Sequence, residues 1–369
     1  MSAVRITASA PTRIDLAGGT FDIWPLYLFH DRAQTINAAL SLRATGVLQS
    51  RTDSRIVLRS EDTGDVVEAA SVRDLDLDRL PLVARLVHLF LEGTGTGIEV
   101  TTRSESPVGA GIAGSSAMNV ALTGGLAAFT GRTLSDDELL AIAMNVEAQV
   151  IRVPTGAQDY RPALYGGVSA VELTAIGIRR VALPVEADAL AARIVVAYTG
   201  ASRNSGINNW DVMKRRIDGD PAVIAAFDGI RDAAVSMRDA LTAGNWAAAG
   251  RSLAAEWACR STLAPGVTTP DISALLAAAT AAGAAPAALP GWASGSAPRC
   301  SWPPDVGDAE RPGPTAAVSG LRGPRAPRRA PGVASAPPRH RATALPRYRA
   351  STWSGPATLS VSSDSSTRS

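Results

Sequence analysis

PVGAGIAGSSA, residues 107–117, sets three glycines and two adjacent serines just ahead of the apolar run MNVALTGGLAAF. Glycines let backbone N–H groups approach an anion closely, and the N-terminus of a following helix adds positive potential. Hydroxyls at Ser115 and Ser116 suit a phosphate or Mg2+. The same wording is also that of a flexible turn whose serine caps a helix, so the loop by itself leaves both readings open. A helix is expected from the serine pair to about Phe129, with a strand, GIEVTTRS (97–104), leading in.

Upstream, VRITASA, TINAALSLRATGVLQSR and SRIVLRS read as strands, and residues 80–93 as a helix that ends in glycine. Downstream, Ser135 and Glu138 stand in capping-box register ahead of Leu139, Ala143, Val146 and Val150 on one helical face. LYGGVSAVEL and RIVVAYTG read as strands, residues 221–257 as helical, and 270–285 as a further helix with proline in its first turn.

At 369 residues, 46 % hydrophobic and 19 % charged, the chain can bury the cores of two domains. No apolar run reaches the roughly 18 residues that span a bilayer, and no signal-peptide pattern opens the sequence. Two cysteines, Cys259 and Cys300, argue against a disulfide scaffold or a zinc cluster and favour a reducing, cytoplasmic setting. His30, His88 and His340 show no metal-ligand spacing. Lys214 is the only lysine, so no Gly-Lys-Ser/Thr phosphate loop occurs and nucleotide phosphates need another cradle. Composition shifts along the chain. Residues 286–369 hold 11 Arg against 4 acids and 14 of the 24 prolines, whereas residues 1–285 hold 25 basic and 30 acidic residues. That basic tail lacks lysine and regular spacing, so no nucleic-acid partner is expected.

Two further segments give the loop its meaning. APTRIDLAGGTFDI (10–23) lies near the N-terminus, and NVEAQVIRVPTGAQDYRPALYGG (145–167) follows the serines. In this order the three segments resemble the GHMP kinase superfamily, whose P-x-x-x-G-x-x-S-S loop is matched by Pro107, Gly111, Ser115 and Ser116. The wording is most similar to sugar kinases of the heptose 7-phosphate kinase and fucokinase type. Their P-x-R-I-x-x-A-G-G-x-x-D motif is matched by Pro11, Arg13, Ile14, Ala17, Gly18, Gly19 and Asp22, and their Gln–Asp pair by Gln158 and Asp159. A TG-x-x-R-x-S phrase stands in YTGASRNSG (198–206). The resemblance covers roughly residues 5–285.

It implies an α+β, two-domain GHMP kinase fold, with a ribosomal protein S5 domain 2-like N-terminal domain at 1–185 and a ferredoxin-like C-terminal domain at 186–285. It implies ATP and Mg2+ as cofactors, and transfer of a phosphoryl group to a hydroxyl of a sugar or sugar phosphate. By position, Pro107, Gly109, Gly111, Gly114, Ser115 and Ser116 would hold the nucleotide phosphates. Ser116 and Glu147 would hold the metal, and Asp159 would serve as base towards, or orient, the attacking hydroxyl. Arg13, Gly19, Asp22, Gln158 and Arg203 would meet the substrate. Blander readings stand beside these: Glu147 as a salt-bridged glutamate, Asp159 as a turn cap, Arg13 paired with an acid inside the domain, Arg203 on a surface loop. Trp24 and Tyr27 suit either sugar stacking or, better, core packing. A mevalonate-type isoprenoid kinase and a non-catalytic remnant of a kinase are the alternatives in function, and a homodimer is allowed.

One expected motif is missing. A final glycine-rich K-x-x-G-A-G-G-G-G should follow the helix ending near Ala285, where the chain instead reads PAALPGWASGSAPRCSWPP. Residues 286–369 therefore read as a truncating, strand-free tail, either disordered or translated out of frame from GC-rich DNA. The C-terminal domain is accordingly expected to be incomplete, with an open sheet edge.

Overall fold

The computed structural model describes residues 3–197, 206–284 and 357–364. In chain order they form β1 (Ala3–Ala17), β2 (Gln34–Ser50), β3 (Ile56–Ser60), β4 (Val66–Ala69), α1 (Pro81–Leu91), β5 (Ile98–Ser104), α2 (Gly114–Phe129), α3 (Asp136–Ile151), α4 (Tyr160–Tyr165), β6 (Val168–Thr174) and β7 (Gly177–Ala182). Then come α5 (Ala187–Ala191), α6 (Gly206–Ile217), α7 (Pro221–Thr242), α8 (Trp246–Arg260), α9 (Pro270–Ala281) and β8 (Thr358–Asp364).

The strands join one sheet in the order β4-β3-β5-β2-β1-β8, with β6 pairing β2 and β7 pairing β6. Only β3 and β5 run parallel. β2 is long enough to serve two partners on one side: its first residues, 34–38, pair β6, and residues 44–50 pair β5. Register between β1 and β2 breaks between Pro11 and Arg13. Proline cannot donate to a ladder, and such irregularities bend a strand and re-aim its side chains. The core divides at the same place. Ile6, Ala8 and Ala10 pack with α1, α2 and α3, whereas Ile14, Leu16 and Ala17 pack with α7 and α8.

Local signals held where their chemistry is local. α3 starts with the full capping box, Ser135 accepting from the Glu138 amide and Glu138 from the Ser135 amide. The 221–257 pattern is two helices, broken by Gly244 at φ +63° and restarted by the Asn245 cap. Two expectations need correction. RIVVAYTG does not form the anticipated strand over its described part: residues 193–197 contain a single bridge residue, Ala197.

The other correction concerns the tail. Thr358–Asp364 is a strand after all, antiparallel to β1 from Ala3↔Asp364 to Ser9↔Thr358. Leu359 and Val361 stay exposed on it, so pairing rests on backbone hydrogen bonds offered by an edge, not on an apolar face that a pattern could reveal. The rest of the 286–369 segment lies outside the described residues. Among the described residues, 186–284 contributes helices alone.

Candidate active site

The glycine loop turns on Pro107, whose carbonyl accepts from the Ala110 amide at 3.1 Å. Gly109 and Gly111 take left-handed φ values of +71° and +73°. Ala113, the residue before α2, also has φ +59°, a conformation in which an alanine is strained. No side chain caps α2, so its first-turn N–H groups, at the positive end of the helix dipole, are not taken up by a capping side chain. The serines are not caps either. Ser115 and Ser116 are the second and third residues of α2 and donate to the two carboxylate oxygens of Glu147 on α3, at 2.7 and 2.9 Å. The Tyr160 hydroxyl also favours the charged form of Glu147. Burial pushes the Glu147 carboxyl above its usual range even though those hydroxyls favour its charged form.

β1 supplies the opposite wall. Past its register break, the Arg13 amide donates to the Ile112 carbonyl at 3.0 Å and its guanidinium reaches the Gly111 carbonyl at 3.4 Å, tying β1 to the glycine loop. The same guanidinium forks onto Asp159: Nε donates to Oδ1 at 2.9 Å, and Nη2 joins it there. Both donors converge on Oδ1 and neither on Oδ2. Of the two readings of Arg13, the structure therefore has the internal ion pair; the guanidinium is 1 % exposed and does not line the cleft as a substrate ligand.

A cleft opens between these walls, lined by Thr20, Asp22, Ser116, Glu147, Asp159 and the 151–158 loop among others. Asp22 accepts from the Gln158 amide at 2.8 Å. Gly156 must be glycine, because a Cβ there would sit 1.7 Å from Asp22 Oδ2. Burial first, and then the neighbouring Asp159 charge, push the Asp22 carboxyl up to about 6 from an ordinary value near 3.8. A folded value above the unfolded one contributes stability below about pH 3.8 that is lost as pH rises through about 6. Asp22→Asn is thus expected to unfold at higher temperature than the wild type at pH 7.5, by up to about 3 kcal/mol of stability. The gain should shrink towards pH 4.5 in paired melting curves, and a pH-independent difference would remove Asp22 from the list of strained buried charges.

Gly19 is held from α8 and is not among the residues that line the cleft. Its carbonyl accepts from Arg260 Nη2 at 3.0 Å, and Thr20 lines the cleft in its stead. Arg260, fully buried on α8, also donates to Thr20 Oγ1 at 3.1 Å and to Glu256 Oε1 at 2.7 Å, with Asp15 Oδ2 3.9 Å away. Two carboxylates thus share one arginine. Burial pushes Asp15 up to about 7, against the pull of Arg260 and with Glu256 adding to the rise. Nothing local in the sequence marks this network, nor Tyr160, nor Asn209 of α6, which also lines the cleft. Arg203 lies outside the described residues.

The hydroxyl and carboxylate oxygens of Ser116 and Glu147 are hard donors of the kind Mg2+ takes, and Glu147 is buried with no basic side chain bonded to it. No cluster of three or more His, Cys, Asp or Glu suited to a metal occurs among the described residues.

Residues 81–167 match the model of the GHMP kinases N terminal domain. The chain is 27 % identical over 262 residues to D-glycero-alpha-D-manno-heptose 7-phosphate kinase of Campylobacter jejuni, covering 68 % of this chain and 76 % of that one. It is 28 % identical over 185 residues to L-fucokinase/L-fucose-1-P guanylyltransferase of Bacteroides fragilis, covering 43 % of this chain and 19 % of that longer protein. In structure it is similar to a D-glycero-D-manno-heptose 1-phosphate kinase from Bacteroides thetaiotaomicron, at a TM-score of 0.63, with 22 % identity and 81 % and 88 % of the two chains covered.

Proposed function

We propose that this chain, whose residues 81–167 match the GHMP kinases N terminal domain and whose fold is similar to that of a heptose 1-phosphate kinase, transfers the γ-phosphoryl group of ATP to a hydroxyl of a sugar or sugar phosphate, a heptose 7-phosphate-like acceptor being the first choice. The observation that carries this reading is the cleft itself. Asp159, held on one oxygen by Arg13, shares it with Asp22 on one side and with the Ser116–Glu147 pair on the other.

Asp159 Oδ2 would orient the acceptor hydroxyl and take its proton as the phosphoryl group arrives. Asp22 would accept from a neighbouring sugar hydroxyl. The glycine loop and the uncapped start of α2 would receive the nucleotide phosphates through backbone N–H groups. Ser116 and Glu147 would hold Mg2+, which supplies charge neutralisation at the phosphates. Arg203 would meet an anionic group of the acceptor. The cytoplasm is the proposed location, and no helix among the described residues is long and apolar enough to cross a membrane.

The acceptor-rich wall favours a polyol over the isoprenoid acid of a mevalonate-type kinase. Asp22, Asp159, Gln158 and Asn209 each bring an oxygen that can accept from a sugar hydroxyl. The test is thermal melting with ATP and Mg2+, followed by a panel of sugars and sugar phosphates with ADP release as readout. A rise in melting temperature that grows with ATP concentration is expected, as is turnover on at least one sugar phosphate. No shift at millimolar ATP would overturn the phosphate-loop assignment. A shift without turnover on any member of the panel would identify a nucleotide-binding remnant.

A further inference from the structure

Two amide side chains in the cleft have buried oxygens without a hydrogen-bond partner: Gln158 Oε1 and Asn209 Oδ1. Both residues line the cleft and are only 4 % and 5 % exposed. A buried acceptor left unpaired costs about 1–3 kcal/mol, so one such atom calls for an explanation and two on residues lining one cleft call for a common one. The other polar walls are already engaged. Asp22 takes the Gln158 amide, Asp159 takes Arg13, and Glu147 takes both serines. Gln158 comes from the loop that leads into Asp159. Asn209 comes from α6, more than 50 residues away in sequence, and among the described residues is the only lining residue drawn from beyond residue 160. Its helix is anchored independently of the cleft. Arg216 donates to His30 Nε2 at 2.9 Å, Arg215 donates to the Leu263 carbonyl at 3.1 Å, and Val212 and Met213 enter the core with Phe21 and Phe227.

We propose that Asn209 is a specificity-determining substrate ligand, its side-chain amide accepting a hydrogen bond from a hydroxyl of the acceptor sugar while Asp22 and Gln158 receive others. The inference rests on the sugar-kinase reading above and extends it. An amide carries an acceptor and two donors on one plane, so it can read the orientation of adjacent hydroxyls on a ring, which a lone carboxylate cannot. A site built to hydrogen-bond a hydroxyl rejects an analogue without it far more strongly than an apolar pocket rejects a misfit.

The experiment titrates wild type, Asn209→Leu and Asn209→Asp by calorimetry with the same sugar phosphates and, separately, with ATP and Mg2+, melting curves confirming that each variant folds. Asn209→Leu is expected to weaken sugar-phosphate binding about ten- to hundredfold with ATP affinity unchanged. Asn209→Asp, which adds a carboxylate to a cleft already holding Asp22 and Asp159, is expected to weaken it at least as much at pH 8 and to recover partly at pH 5.5. Sugar-phosphate affinity within twofold of wild type in Asn209→Leu overturns the assignment of Asn209 while leaving the kinase reading intact. Wild type that binds ATP but no sugar or sugar phosphate overturns the sugar reading, and this inference with it.

Discussion

Arg260→Met is expected to cost the fold about 3–5 kcal/mol, the usual range for removing one partner of a buried ionic group. Arg260 is fully buried, and the variant would leave Glu256 and Asp15, themselves almost completely buried, without the cation they share. Asp15 Oδ1 and Glu256 Oε2 already lack hydrogen-bond partners, and Arg13, which also favours a charged Asp15, is bonded to Asp159 instead. The same substitution frees the Gly19 carbonyl and the Thr20 hydroxyl, loosening the turn that carries Asp22 into the cleft. Urea unfolding at pH 8 and pH 5 tests the cause. Asp15 is pushed up to about 7 and rises further without Arg260, so it is neutral at pH 5 and the loss should be smaller there. Arg260→Met combined with Glu256→Leu should recover most of the stability, since a matched apolar pair replaces a buried ionic one at little cost. A loss at pH 8 under about 1 kcal/mol would show that the network does not hold the turn.

Asp159→Asn is expected to lower kcat by about 10²–10⁴-fold, the range for losing a positioned base, while ATP affinity stays within a few-fold of wild type. The isosteric amide keeps an oxygen for Arg13 but cannot take a proton from the acceptor hydroxyl. Arg13 loses its nearest counter-charge, yet Asp15 and Asp22 also favour its charged form, so the variant should still fold. Steady-state kinetics on the acceptor that wild type phosphorylates, with calorimetry for ATP, separate the two effects. Turnover near the wild-type rate would take Asp159 out of the chemistry and leave it as Arg13's structural partner.

The short-range devices were legible in the residues themselves. The Ser135–Glu138 capping box, the helix beginning at the serine pair and the glycine-permitted turns at Gly109 and Gly111 each depend on atoms within a few residues of one another. The family resemblance of the three motifs implied a shared site for Asp22, Glu147 and Asp159, and all three line one cleft. What that order could not supply was the partner of each side chain. Arg13 reads equally well as a substrate ligand or as an internal cation until the sheet carries it 146 residues across to Asp159. Gly19 and Arg260 meet over 241 residues, with no pattern in either segment to announce it.

Edge pairing escaped for a related reason. The tail residues 358–364 look like part of a Ser-rich stretch, and their strand exists because β1 offers an unpaired backbone edge. The sequence by itself determined the local chemistry: the glycine–serine loop, the capping box of α3, the absence of a Gly-Lys-Ser/Thr loop, and which positions carry the carboxylates and hydroxyls. The tertiary structure alone decided which of them touch. It turned Arg13 inward onto Asp159, set Gly19 behind the cleft and brought Asn209 into it. Turns and caps are read over a few bonds, whereas these pairings are fixed by how a bent sheet and α6 to α8 close on one another.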